Sequence, residues 1–326
     1  MKNKTVTIQG GTLNLSEISE FQVLGNLTFK NTKLVVNGTT IYANGNELVV
    51  SNDVTFDGTV SAIYGGGKEN ASWSTNLTLL AGNYTEIYGG SNGGVVLGDT
   101  NVTVGGNVNS GITVSDHSIA NRIYGGGYNA VVSGDTHVTI QDSAQTSVVY
   151  GGGNGVDSKV SGTCYVNANG GNVMGYYGGS YQGVVSNTVL NMTAGTAEQI
   201  FGGCELTSMT GDVNVTITGG TITRRIYGGC YNEADVDLFS TTYYTEFFVT
   251  GNTTVHVGGT ANYTHSGSLE RAICAGSRHN KNHAEENAVL DIETNTLYEN
   301  LESYIGSSLL EIAPGYDTLY VAGVKQ

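Results

Sequence analysis

The stretch best suited to chemistry is Asp116-His117 followed by Arg122. It is the only place where an Asp stands beside a His, and it falls in a segment longer than its neighbours. In a polysaccharide lyase an Arg serves as base beside a Ca²⁺-held uronate, and a glycosidase needs paired acid and base groups. Those three residues are the catalytic candidates if the chain is an enzyme. Against this, Glu86 and Arg122 occupy one repeat position, as do Glu198, Arg224 and Arg271. Stacked in register, such residues form inter-coil ion pairs, each worth under about 1 kcal/mol when exposed. No Gly-x-Ser-x-Gly elbow and no phosphate-binding loop occurs.

Binding candidates are aromatic. Tyr128, Tyr181 and Tyr231 each follow a glycine turn, where a packed fold has little reason to show a ring. Tyr243 and Tyr244 sit in a second long segment with Phe239, Phe247 and Phe248. Flat aromatic faces stack on sugars, so these five tyrosines are the expected ligand contacts. Asn92 and Asn154 stand at comparable turns and read as amide-stacking corner residues.

Asp99, Asp135 and Asp212 recur at one turn. Stacked carboxylates offer oxygen ligands to Ca²⁺, while a single Asp at a turn caps a backbone amide. No cofactor is expected, with Ca²⁺ the one alternative. His279 and His283, with Glu285 and Glu286, have metal-ligand spacing but not the His-Glu-x-x-His order.

The elements that must position these residues come from a repeat. Ile-Tyr-Gly-Gly and a small residue appear at Ile63–Gly67, Ile87–Ser91, Ile123–Gly127, Val149–Gly153, Tyr176–Ser180, Ile200–Cys204 and Ile226–Cys230. A degenerate copy, Ile273–Ser277, ends the series. Most steps are 24 to 27 residues, one is 36 and the last is 47. A period in this range marks a solenoid. Each repeat continues with a short apolar pair such as Val95-Val96, then an alternating strand such as Asn101-Val102-Thr103-Val104, then a second glycine turn. Three short parallel strands per period make one coil of a parallel β-helix. In the alternating strand the apolar parity faces inward. The Tyr of Ile-Tyr has the outward parity, as a stacked ladder that either binds sugars or stiffens the corner. The glycines supply turns with positive φ.

This organises the chain as one continuous domain. Residues 1–60 are irregular N-terminal coils or a cap. Residues 61–277 are regular coils, with insertions near 107–121, 232–248 and 261–271. Residues 278–326 are the last coil and a C-terminal cap, with helix-compatible spacing over Leu297–Leu310.

Composition agrees: 49 Gly, one Pro and 13% charged residues suit a β-rich chain with many tight turns. The net charge of −15 argues against nucleic acid and anionic membrane surfaces as partners, and is compatible with a neutral glycan. No apolar run is long enough to span a bilayer, and no apolar region follows Met1-Lys2-Asn3-Lys4. The expectation is an exported segment of a longer protein. Cys204 and Cys230 share a repeat position, either as stacked free thiols or as a bridge.

Val/Ile-Tyr-Gly-Gly-Gly-x-Asn, then Val-x-Gly-Asp-Thr-x-Val-Thr-Ile, then Gly-Gly, resembles the glycine-rich repeats of large bacterial surface or adhesin-like proteins. The resemblance covers roughly 61–277 and implies a pectin-lyase-like right-handed β-helix. The chain departs from it at Cys274 and at the long insertions. The expected function is a non-catalytic surface solenoid for adhesion, glycan or cell-surface protein binding, or assembly. The alternatives are a polysaccharide lyase or glycoside hydrolase working in a groove along the rod, and an ice-binding or self-assembling scaffold.

Overall fold

The fold is described from a computed structural model. It describes residues 4–108, 121–231, 234–236, 242–244, 247–264, 272–277, 288–293, 318–321 and 324–325. Asp116, His117, His279, His283 and the Leu297–Leu310 stretch lie outside them.

The described chain is all β, a parallel β-helix whose strands stack coil upon coil. One column is the alternating strand. Its inward residues run in register from Val6 through Leu27, Leu48, Leu77, Val102, Val138, Val166, Leu190, Val215 and Val255 to Leu290, beyond which Thr318–Val321 adds one more paired strand. Leu48, Leu77, Val138, Val166, Leu190, Val215 and Val255 are fully buried. Burying each such side chain is worth about 1.5–3 kcal/mol. The alternation works because successive side chains point to opposite faces, so the Asn and Thr between them meet solvent.

The second column is Ile-Tyr. The pairs Ile63-Tyr64, Ile87-Tyr88, Ile123-Tyr124 and Val149-Tyr150 lie in register, and the ladder continues to Ile273-Cys274. The third is short: Val95–Val96, Val131–Val132, then Val160 and Val185.

Residues 5–57 are more regular than their sequence suggests. Their strands stack in the same columns, with Thr5 paired to Asn26 and Leu27 to Leu48. Ile41-Tyr42 pairs with Ile63-Tyr64, so Ile41-Tyr42-Ala43-Asn44 is a repeat in which Ala and Asn replace the glycines. The insertions are also shorter than expected. Asn107 and Val108 pair with Ala81 and Gly82. Asn262–Tyr263 pairs with Thr221 and Ile222, and Tyr263 is buried with its hydroxyl donating to the Arg224 carbonyl. Phe247 packs on the core. Ala234–Val236 and Thr242–Tyr244 pair antiparallel, a hairpin that takes no described pairing with the solenoid. At the C-terminal end Thr318–Val321 pairs with Ala288–Ile292 and, antiparallel, with Val324–Lys325.

The glycines of Tyr-Gly-Gly do not serve positive φ. That conformation is found at the second turn, at Gly106, Gly171, Gly195, Gly220 and Gly259, and a few residues past the first, at Gly93, Gly155 and Gly183. In the first turn coils approach too closely for a side chain: a Cβ on Gly125 would run into the Gly151 carbonyl oxygen. A buried threonine seals that turn. Thr75, Thr100, Thr136 and Thr188 donate to the carbonyls of Gly89, Gly125, Gly151 and Gly202 at 2.6–2.7 Å. Cys164 takes this position in one coil.

Candidate functional site

The site is built on the tyrosine column. Strand register places equivalent rings one strand spacing apart, about 4.8 Å. Tyr42, Tyr64, Tyr88, Tyr124, Tyr150, Tyr177, Phe201 and Tyr227 therefore stack, with centroids 4.7–5.3 Å apart and planes within 20°. The rings point away from the main core, as parity requires, yet they are buried. They form a second apolar cluster, closed by Cys274 at one end. A wet, exposed ladder is thereby excluded.

A second layer covers them. It comes from the residue two places after Gly-Gly, a column that starts at Lys68 and continues with Asn92, Tyr128, Asn154, Tyr181, Glu205 and Tyr231. From Asn92 onward their amides donate to the carbonyls of Gly67, Ser91, Gly127, Gly153, Ser180 and Cys204, one coil back in each case. Tyrosines thus alternate with Asn or Glu, and successive tyrosines stand two coils apart, about 9.6 Å.

These side chains lean back over the ladder. Asn92 Nδ2 donates to the Tyr42 hydroxyl at 3.2 Å and Asn154 Nδ2 to Tyr88 at 3.1 Å. The Tyr88 hydroxyl donates to Glu86 at 3.0 Å, and that of Tyr150 donates to Glu205. Tyr128, Tyr181 and Tyr231 sit edge-on to Tyr88, Tyr150 and Phe201, at 6.2, 5.7 and 5.2 Å. The three turn tyrosines thus have a structural task that the turn alone does not reveal: they roof the ladder. Tyr128 remains 40% exposed, while Tyr181 and Tyr231 are half-buried.

Arginines complete the stripe. The Arg122 guanidinium lies 5.1 Å from the Tyr181 ring centroid. Arg225 lies 5.5 Å from both Phe201 and Tyr231, and its Nε and Nη2 donate to Gln199. The expected Glu86–Arg122 ion pair is not formed, since Glu86 accepts from Tyr88 and Arg122 faces Tyr181. The expected Glu198–Arg224 pair is formed, at 2.9 Å.

The chemistry on offer is recognition. Burial pushes the phenols of Tyr64, Tyr88, Tyr124 and Tyr150 above their usual range, so they remain neutral donors. Turn-tyrosine rings, side-chain amides and the part-buried Arg122 guanidinium run in a line over the buried ladder, with Arg225 packed beneath them.

The other predicted residues do not join it. Asp99, Asp135 and Asp212 each accept the amide of the next coil, from Asp135, Thr163 and Asn252, at 2.8–2.9 Å. This capping role occupies an oxygen of each carboxylate. Among the described residues, no three His, Cys, Asp or Glu side chains converge as a metal site. Tyr243 and Tyr244 lie in the separate hairpin. Cys204 and Cys230 are buried thiols and not a disulfide: the Cys204 amide donates to Cys230 Sγ at 3.3 Å, and the Ser180 amide to Cys204 Sγ at 3.3 Å. Tyr42 and Glu205 escaped the sequence reading. Their signals were Ile-Tyr before two small residues, and the place two residues after Gly-Gly.

Fold and site together define a single-chain parallel β-solenoid carrying a roofed aromatic ladder. In comparisons with family models, curated proteins and solved structures, nothing matches the chain.

Proposed function

We propose that this chain is a non-catalytic, extracellular β-solenoid of a bacterial surface protein, and that it binds a neutral glycan along the stripe of Tyr128, Tyr181 and Tyr231. The observation that carries the reading is their alternation with Asn154 and Glu205 at a fixed two-coil step. A glycan chain is itself periodic, with apolar ring faces and a rim of hydroxyls. It suits a line of half-exposed aromatic edges interleaved with amide and carboxylate groups. The resemblance of the repeats to those of bacterial surface and adhesin-like proteins supports the same reading, as does the high negative charge, which disfavours polyanions.

The test is affinity electrophoresis against neutral and acidic polysaccharides, with each lane assayed for new chain ends. The expected result is retardation by a neutral polysaccharide with no new ends. Tyr128→Ala should weaken retardation by about tenfold, as loss of one stacking contact implies, with an unchanged circular dichroism spectrum. New chain ends, or no retardation by any polysaccharide, would overturn the proposal.

A further inference from the structure

A cleft away from the stripe opens where the solenoid changes width. In the early coils a separate strand follows the alternating one, and Thr12–Asn14, Lys33–Val35 and Thr55–Asp57 stack as a small parallel sheet. The next coil takes a shorter path. Val50 pairs with Leu79 and Val60 with Tyr84, so residues 51–59 of one coil are answered by residues 80–83 of the next. The coil after that keeps the short path, with Asn107 and Val108 paired to Ala81 and Gly82. Thr55–Asp57 is left as a ledge beside the narrower coils.

The ledge has an open backbone. Thr55 donates to the Thr32 carbonyl and the Asp57 carbonyl accepts from Val36, both towards the neighbouring strand. A parallel strand alternates its sides, so the N–H and C=O of Phe56 turn the other way. Among the described residues no strand pairs on that side. A ledge of 3 residues is too short to seat a peptide strand, but its free donor and acceptor suit a small ligand.

Phe56 also supplies a ring. It stands edge-on to Tyr84 at 5.7 Å, and Gly82 passes so close that a Cβ would lie 2.8 Å from it. Gly82 has φ +119°, so glycine meets both demands. The ring is thus pinned, yet only half-buried. Around it Asn52, Asp53, Thr55, Asn83 and Asn107 line a cleft of about 410 Å³, a size usual for small-molecule sites. Asn83 is held in place: its Nδ2 donates to the Gly58 carbonyl at 3.4 Å, and its own carbonyl accepts from the Val60 amide.

We propose that this cleft binds a short neutral saccharide, with the apolar face of a sugar on the Phe56 ring. Carboxamides both donate and accept, as sugar hydroxyls do, and three of them surround the ring. Asp53 adds an acceptor and disfavours an anionic ligand, and no Lys or Arg is among the lining residues. The proposal does not rest on glycan binding by the stripe. The strand Thr75–Gly82 separates the cleft from Lys68, where the roof column starts.

Saturation-transfer NMR of the full chain tests it, with glucose, galactose, mannose, N-acetylglucosamine and their disaccharides as probes and glucuronic acid as the charged counterpart. The expected result is transfer to a neutral saccharide, strongest at the C–H protons of one ring face, and weaker transfer to glucuronic acid. Asn52→Ala combined with Asn107→Ala, at two exposed positions, should weaken binding by about tenfold or more with an unchanged circular dichroism spectrum. Trp73→Ala, 81% exposed and outside the cleft, should leave binding unchanged. No transfer to any neutral probe overturns the proposal, as does glucuronic acid bound as tightly as glucose. Transfer that survives the paired substitution would place the sugar elsewhere and overturns it too, as does an equal loss in Trp73→Ala.

Discussion

Tyr88 and Tyr124 are separated by 36 residues, yet their rings stack 4.7 Å apart with planes 9° from parallel. Tyr64 and Tyr88, separated by 24 residues, stack at the same 4.7 Å with planes 6° apart. The extra chain between Tyr88 and Tyr124 therefore leaves the coil undisturbed. Pairing resumes at Glu86 with Arg122, after Gly82 with Val108.

Residues 83–85 bridge those pairings in the earlier coil, and 109–121 bridge them in the later one. Shortening 109–121 to three residues that end in Asn121 should keep the fold. Asn121 is retained because its carbonyl accepts from Thr146 Oγ1 at 2.8 Å. The expected change in unfolding free energy is within about 1 kcal/mol, since loop closure depends weakly on length. Circular dichroism and a denaturant midpoint read this directly. The deletion also removes Asp116 and His117, so unaltered glycan retardation would separate binding from any role of that pair.

Gly125→Ala should be costly although the glycine does not have positive φ. The new methyl would collide with the Gly151 carbonyl, which belongs to the neighbouring coil. Two coils would have to part, at about 1–3 kcal/mol or more. A midpoint equal to the parent's would show that the coils are looser than the register implies.

Tyr176 stands where other coils place Ile or Val, fully buried, and its hydroxyl has no hydrogen-bond partner among the described residues. Removing an unsatisfied buried hydroxyl relieves a desolvation cost of about 1–3 kcal/mol. Tyr176→Phe should therefore raise the unfolding midpoint. A clear drop would mean that the hydroxyl has a partner, such as an ordered water.

Cys164→Thr should also stabilise. Thr136 and Thr188, in register on either side, donate to the Gly151 and Gly202 carbonyls. A threonine at 164 would supply the equivalent bond, worth about 1 kcal/mol. In the parent, burial pushes the Cys164 thiol up to about 12, so it should react with thiol reagents only on unfolding. Rapid labelling of the native protein at this residue, or a lower midpoint in the variant, would contradict the packing.

Alkaline pH should unfold the rod. Burial raises Tyr64, Tyr84, Tyr88, Tyr124, Tyr150 and Tyr176 above the ordinary value of 10.0. The unfolded chain releases those protons near 10 while the folded chain keeps them. Their contribution is thus fully present below pH 10 and is lost as pH rises beyond it. Each group steepens the fall by up to about 1.4 kcal/mol per pH unit. Tyrosinate absorbance should appear together with loss of the circular dichroism signal. Free titration of Tyr64, Tyr88, Tyr124 and Tyr150 near pH 10 in the folded protein would mean that the roof does not exclude water.

The architecture was legible because period and parity are local. Ile87-Tyr88-Gly89-Gly90 and its copies fixed the repeat, and the alternation Asn101-Val102-Thr103-Val104 fixed which side chains face inward. The degenerate coil at Ile41-Tyr42-Ala43-Asn44 was missed because Ala and Asn hide the glycine pair. At the candidate site the sequence located Tyr128, Tyr181 and Tyr231 but not their setting.

By itself, then, the sequence determined a parallel solenoid with a tyrosine in one outward column, since a fixed period in a β chain can bury its apolar parity only by stacking. The tertiary structure decided that the column is roofed. Asn154 reaches back two coils to Tyr88, and Glu205 reaches back to Tyr150. Contacts across coils depend on register and side-chain lean rather than on spacing within a repeat. The same reason turned Asp99, Asp135 and Asp212 into caps for the next coil's amides. It also made Gly125 a point of contact between coils rather than a bend in the chain.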